Sequence, residues 1–517
     1  MRALRIKPLT AILATAEGNA LRRSLGVFQL TMLGVGAIIG TGIFVLTSEA
    51  AQKAGPGMML SFVIAAAVCA LAALCYSELA AMVPVSGSAY TYTYAVMGEL
   101  LAWLVGWALV LEYAVSASAV AVGWAGYFTG QLRGWFGIEL PHALTHGPYA
   151  GGVVNLPAVL ISLAVTALLM KGTSESVRVN AALVAIKTLA LVAFIILALP
   201  VMRMENFEPF MPMGWAGGDG AGVIGAAASI FFAYIGFDAV STAAEEARNP
   251  QRTVPLALML SLVICTLIYV LAAAAATGSP LGSQPVLSAS GHWLPTGSSE
   301  LAARCEVLTT TTGVRPLACS QEALAHVLRE IGHFKIGNLI GLAAFLALPS
   351  VILVMIYGQA RMFFVMSRDG LLPHRFSAIH PKWKTPHVIT AATGAGVTFG
   401  AAFLPVGRLA DICNAGTLFA FAAVALSVLI LRRTEPTRDR PFRTPAITLI
   451  APLTILGCAV LYWRLPYDAR MVLPIWGGIG LMLYFLYGYR HSHVGRQVDV
   501  DERANEVVAA ESVIERD

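Results

Sequence analysis

Lys187 falls about ten residues into an apolar run over 177–199, roughly 15 Å along a helix at 1.5 Å per residue. In a bilayer a central lysine costs at least about 2.5–3.5 kcal/mol on insertion scales, so it needs a reason. Burial disfavours the charged form of an amine, and a lysine held there can therefore release and regain a proton. A structural ion pair, for instance with Glu112, is the plainer alternative. The run Thr31-Met-Leu-Gly-Val-Gly-Ala-Ile-Ile-Gly-Thr-Gly-Ile-Phe-Val-Leu46 is centred on Gly40, Thr41 and Gly42. Two glycines around a threonine weaken a helix where no water replaces its lost hydrogen bonds. Gly36 and Gly40 also form a G-x-x-x-G pair suited to close helix packing. A second run, Ser229-Ile-Phe-Phe-Ala-Tyr-Ile-Gly-Phe-Asp-Ala-Val-Ser-Thr242, has Gly236 and Asp238 near its middle. Amide N–H groups freed at such breaks hold a carboxylate, and freed carbonyls accept from an ammonium. A zwitterionic amino acid needs both.

Other polar residues in apolar runs are less specific. Glu112 gates a path or pairs with a base. Asp238 serves equally as a cap for the second half of its broken run. Glu78 reads as an interfacial acid and Asp411 as a helix N-terminal acid. Ser350 follows Pro349, where a bend turns its hydroxyl inward.

The elements that position these groups follow from composition. Of 517 residues, 57% are hydrophobic and 12% are charged, about half the charge of a soluble domain. That is an all-α polytopic membrane protein. Apolar segments lie at about 28–48, 57–82, 98–130, 155–170, 177–199, 222–247, 253–278, 336–368, 386–405, 409–431, 445–463 and 471–490. Twelve spans place both termini on one side. With the termini inside, 23 of the 34 Lys and Arg fall in inner segments and ten in outer ones, the last being Lys187. This obeys the positive-inside rule. Lys53 is among the ten and is placed in an outer connection. The net charge of +5 suits cytoplasmic loops on anionic lipid and does not suggest nucleic acid. No cofactor fingerprint or metal cluster is present, and no oligomeric state is read from the chain.

Residues 1–26 read as a cytoplasmic leader, without the apolar core and cleavage site of a signal peptide, and 491–517 as a polar tail. The long loop over 278–335 is placed outside and holds Cys305 and Cys319, which can form a disulfide in an oxidising space. The five remaining cysteines read as small packing residues. Breaks in the first and sixth spans, five spans apart, point to an inverted-repeat transporter with its site at the repeat interface.

Three motifs carry a family resemblance. Leu33-Gly-Val-Gly-Ala-Ile-Ile-Gly-Thr-Gly-Ile-Phe44 resembles the first helix of the amino acid–polyamine–organocation superfamily, with the cationic amino acid transporter family as the nearest match. Phe231-Phe-Ala-Tyr-Ile-Gly-Phe-Asp-Ala-Val-Ser-Thr-Ala-Ala-Glu-Glu246 with Asn249-Pro250 resembles its sixth helix. Arg368-Asp-Gly-Leu-Leu-Pro373 and His380-Pro-Lys-Trp-Lys-Thr-Pro386 resemble the loop after its eighth. The resemblance runs from about 25 to 490. It implies the leucine-transporter fold, with inverted five-helix repeats over 27–200 and 201–432 and two further helices over 433–490. It implies that Ile39, Gly40, Thr41, Gly42 and Ile43 hold the substrate carboxylate, and that Phe231, Ala233 and Ile235 supply carbonyls or walls. Lys187 matches a fifth-helix lysine that stands in for sodium in proton-coupled members, with Gly36, Ile39 and Ser350 as its expected neighbours. Glu112 matches a third-helix acid. Twelve spans and no glycosylation sequon favour a bacterial inner-membrane member.

The expected activity is proton-coupled transport of L-amino acids by alternating access, broad or neutral with cationic substrates close behind. The alternative is an exchanger of the same fold. A sodium-coupled mode conflicts with the charge of Lys187. A membrane enzyme would need a catalytic pair at a membrane face, and His374, His380 and His387 lie in a basic, proline-containing loop instead. A channel would need a selectivity ring, and no segment repeats as one.

Overall fold

The structure is a computed structural model that describes residues 5–6, 25–82, 88–172, 177–242, 247–383 and 385–496. Most of the leader, the end of the tail, and Glu245 and Glu246 of the second motif lie outside those residues. Among the described residues the chain is helical, with two isolated β-bridges, Leu25 to Ala247 and Leu287 to Trp293.

The first apolar run is divided into α1 (Val27–Ile38), a single turn α2 (Thr41–Phe44) and α3 (Leu46–Ala54). Gly55, at φ +61°, reverses the chain into α4 (Met58–Met82), because only glycine reaches that conformation without strain. Next come α5 (Ser88–Met97), α6 (Glu99–Phe136), α7 (Leu156–Lys171) and α8 (Val177–Ala198). The second broken run supplies α9 (Gly222–Ile230) and α10 (Ala239–Thr242). The remainder is α11 (Pro250–Gly278), α12 (Ser299–Thr312) and α13 (Ala323–Glu330) in the long loop, α14 (Phe334–Arg368), α15 (His387–Phe403), α16 (Val406–Thr434), α17 (Ile447–Arg464) and α18 (Tyr467–Leu483).

Among the described residues eight helical stretches are long and apolar enough to cross a bilayer, and four shorter apolar helices (Val27–Ile38, Leu156–Lys171, Gly222–Tyr234 and His387–Phe403) accompany them. This is a polytopic membrane protein. At 38 residues, α6 is about 57 Å long. It packs against α14, α15, α16 and α18 and forms the centre of the bundle. The perimeter is formed by α17 and α18, whose apolar windows are only 28% and 17% buried. Their outward leucines and isoleucines face hydrocarbon, so they need no polar face.

Lys53 departs from its expected place in an outer connection. It lies in the last turn of α3 and is buried, because α3 continues the first run eight residues past Leu46 and carries the lysine inward against α9 and α16. Cys305 and Cys319 are joined as a disulfide with a Cα–Cα distance of 5.7 Å. It closes a small core of Val286, Leu294 and Leu301 in the long loop.

Candidate functional site

Helix α1 stops because Ile39 (φ −71°, ψ 100°) and Gly40 (φ −149°, ψ −146°) leave helical geometry. A helix end leaves its last carbonyls and the first amides of the next helix without intrahelical partners. Two of the carbonyls are taken by side chains: Tyr269 of α11 donates its hydroxyl to Ile38 O at 2.9 Å, and Lys187 donates from Nζ to Gly36 O at 2.9 Å. Above the break, Tyr127 donates to Phe44 O at 2.7 Å and Thr47 to Ile43 O at 2.6 Å.

The second run breaks alongside the first. After α9 a 3₁₀ turn spans Phe231–Tyr234. Ile235 is then extended (φ −60°, ψ 139°) and Gly236 sits at φ +109° before α10 begins. The two breaks touch backbone to backbone. A Cβ built on Gly42 would lie 2.3 Å from Cα of Ala233, and one on Gly236 would lie 2.8 Å from Ala37 O. Glycine is therefore needed at 42 for space and at 236 for both space and conformation. Ile39, Gly40, Thr41, Gly42, Ile43, Phe231, Ala233 and Ile235 all meet at this crossing and are buried. Among the described residues the Thr41 hydroxyl has no hydrogen-bond partner.

Lys187 is 2% exposed. Helix α8 approaches α1 closely enough that a Cβ on Gly36 would lie 2.3 Å from a methyl of Val184, which brings the amine of the next turn to the Gly36 carbonyl. Ser350 is not turned toward a neighbouring helix by its hydrogen bond: its hydroxyl donates to Ala347 O in α14 at 2.7 Å. Pro349 cannot donate a backbone bond, and the carbonyl it leaves free, Phe345 O, accepts from the indole of Trp124 at 2.9 Å.

Glu112 is buried in α6, and one of its carboxylate oxygens has no hydrogen-bond partner among the described residues. Thr417 and Asp238 lie within electrostatic range of the carboxyl. Cys413 meets Ser116 at 2.9 Å on the same side. Above these groups lies a separate apolar cluster of Leu46, Ala119, Phe232, Ile235, Leu409, Ala410 and Cys413. It draws on both broken runs, α6 and α16.

Three groups in the site's frame were not singled out from the sequence. Lys53 pairs with Asp411 at 2.9 Å and also bonds Ser229, whose hydroxyl donates to the other Asp411 oxygen. Asn414, one turn along α16, donates to Ala228 O at 2.7 Å and Ser229 O at 2.9 Å, capping carbonyls where α9 ends. The available signal was an Asp and an Asn three residues apart in an apolar run. Glu78, in contrast, sits at the far end of α4. It takes Arg432 through both oxygens at 2.9 and 2.7 Å, with Arg440 Nε at 3.4 Å. The loop histidines are occupied locally: His380 stacks on Trp383 at 4.3 Å and packs edge-on against His387 at 4.8 Å.

Two broken helices thus cross at glycine, with a buried amine on one freed carbonyl. The sequence profile of the amino acid permease family matches residues 25–481. The chain is 42% identical to the branched-chain amino acid permease BcaP of Bacillus subtilis (strain 168), over 94% of this chain and 97% of that one. It is 38% identical to the methylthioribose transporter of the same organism, over 94% and 98%. It is 33% identical to human cationic amino acid transporter 4, over 87% of this chain and 65% of that one. The chain belongs to the amino acid permease family of the amino acid–polyamine–organocation superfamily, a family of transporters and not of enzymes.

Proposed function

We propose that this chain is a secondary transporter that moves a neutral, apolar L-amino acid together with a proton by alternating access. The observation that carries the proposal is the hydrogen bond from Lys187 to Gly36 O. A buried amine on a carbonyl of the first break couples its proton to the shape of the segment that binds substrate. With the amine charged the bond is held. With the amine neutral the bond loses its charge assistance and weakens, and α1 is freer to swing. The eight long and four shorter apolar helices serve as twelve spans in two inverted repeats over 27–200 and 201–432, with both termini on the cytoplasmic side of a bacterial cell membrane. In this scheme the Lys53–Asp411 pair closes one side of the site and the Glu78–Arg432 pair braces the other.

Substrate class is argued from the cluster of apolar side chains around Phe232 and Ile235. It suits a branched apolar side chain better than a cationic one, in line with the name of the 42%-identical relative.

The test is uptake of labelled leucine and arginine by purified protein in liposomes, with and without an inward proton gradient, for wild type and Lys187→Ala. Gradient-driven leucine uptake that loses its pH dependence in the variant supports the proposal. Methylthioribose belongs among the competitors, and its dominance would overturn the amino acid assignment. Uptake that ignores the gradient but requires internal amino acid would make the protein an exchanger and Lys187 a structural charge.

A further inference from the structure

We propose that the groove between α6, α16, α17 and α18 is a lipid site that holds one acyl chain of a membrane phospholipid against the back of α16. This goes beyond the transport reading and does not depend on which solute is carried.

The groove is a cavity of about 510 Å³ whose walls include Leu104, Trp107, Phe419, Ile455, Gly478 and Leu481. No lining residue is charged. Its most polar wall has been made apolar by internal pairing. Trp107 and Trp476 stack at 4.6 Å, and Trp103 stacks on Trp107 at 5.6 Å. Each indole N–H is spent on a backbone carbonyl: Trp107 on Trp476 O, Trp476 on Trp107 O, and Trp103 on Gly480 O, at 2.8–2.9 Å. The Tyr462 hydroxyl is likewise donated to Arg470 O at 2.7 Å. Ring faces and aliphatic carbons are what remain for an occupant. A buried water needs two to four polar partners, and this cavity does not provide them.

The position fixes what is available to fill it. The two helices that form the mouth are the least buried spans, and Leu456, Val460, Ile475 and Ile479 point outward beside it. That flank is immersed in hydrocarbon. The lining of α18 runs from Leu473 to Leu481, about 12 Å along the helix. The space at Gly477 and Gly478 is open, with nothing within 4 Å of a Cβ at either. A hydrocarbon chain, one methylene wide, fits along that length, and the surrounding bilayer supplies it.

Occupancy has a mechanical consequence. Leu418, Phe419 and Ala422 of α16 face the groove. On the same helix Asp411 and Asn414 hold α3 and the end of α9, and Phe421 packs against Phe231 at 5.7 Å and Phe237 at 5.1 Å. The chain would thus back the helix that closes the site.

The test uses the full protein in liposomes of phosphatidylethanolamine or phosphatidylglycerol carrying a photoreactive diazirine at mid-chain. The expected result is labelling concentrated in 455–462 and 473–481 with either headgroup, since the chain carries the recognition. In Gly478→Leu, where the new side chain occupies the groove, that labelling should fall about tenfold, the cost of displacing roughly two methylenes. Labelling of α8 should stay unchanged. Ala459→Leu repeats the measurement from the opposite wall, so a folding defect in one variant does not decide the matter. Labelling spread evenly around the perimeter, or unaltered in both filled variants, would overturn the proposal. So would efficient disulfide cross-linking of Gly477→Cys between two copies in the membrane, which would assign the groove to a dimer contact.

Discussion

The ammonium of Lys53 lies 2.9 Å from the Asp411 carboxylate, with both side chains almost fully buried and Ser229 joined to both. This contact ties α3, α9 and α16 together on one side of the crossing between the broken helices. Removing one member of a buried pair leaves the other charge unpaired, which costs about 3–5 kcal/mol. Lys53→Met and Asp411→Leu should each lower stability by about that amount, and the double variant by much less than their sum. Thermal unfolding of the three purified proteins measures this. Additive losses would mean that the two groups are not coupled.

A guanidinium stays charged at all accessible pH values. Lys187→Arg should therefore keep substrate binding but slow net uptake by at least about tenfold, equivalent to 1.4 kcal/mol on a barrier. Uptake at the wild-type rate in this variant would remove the proton cycle from the amine.

The backbone contact between the breaks predicts an asymmetry between neighbouring glycines. A Cβ on Gly42 meets Ala233 Cα at 2.3 Å, whereas one on Gly40 meets nothing nearer than the Val351 methyls at 3.8 and 3.9 Å and Ile38 O at 4.0 Å. Gly42→Ala should cost about 1–3 kcal/mol by overpacking and abolish leucine binding, while Gly40→Ala should fold normally. Equal stability of the two variants by thermal unfolding would show that the breaks do not meet as described.

One histidine makes the connection between α6 and α7 sensitive to acid. His146 stacks on His142 at 4.0 Å, and its Nε2 accepts from the Gln321 side chain of the long loop at 2.6 Å. Burial, reinforced by His142, pushes its pKa down from 6.5 to about 4. Above pH 6.5 the ring is neutral whether folded or unfolded, so stability does not depend on pH through this group. Between 6.5 and 4 the unfolded form takes up a proton that the folded form refuses, and the contact weakens progressively as pH falls. Hydrogen exchange in 142–152 and 315–322, corrected for intrinsic rates, should rise across that interval in wild type and stay flat in His146→Gln. A flat wild-type profile would rule out His146 as the group responsible.

The membrane class of this protein was legible without coordinates because a bilayer admits few solutions. Long apolar runs must become helices there, and a glycine pair or a lone lysine inside one stands out against a uniform background. Composition and local pattern thus pointed to helices, to interruptions at Gly40–Gly42 and Gly236, and to Lys187 as the unusual amine. Local pattern does not say which run lies beside which, and that decided the rest. Lys53 looked like a loop residue until α3 carried it against Asp411. Asp411 read as a helix N-terminal acid, and Asn414 drew no reading, until α16 set the one against Lys53 and the other against the end of α9. Ser350 had the right type to assist Lys187, and only the folded helix shows that its hydroxyl donates to Ala347 O. Pairings between residues more than a hundred positions apart depend on how helices pack, and helix packing is set by the summed shape of many small side chains rather than by any motif.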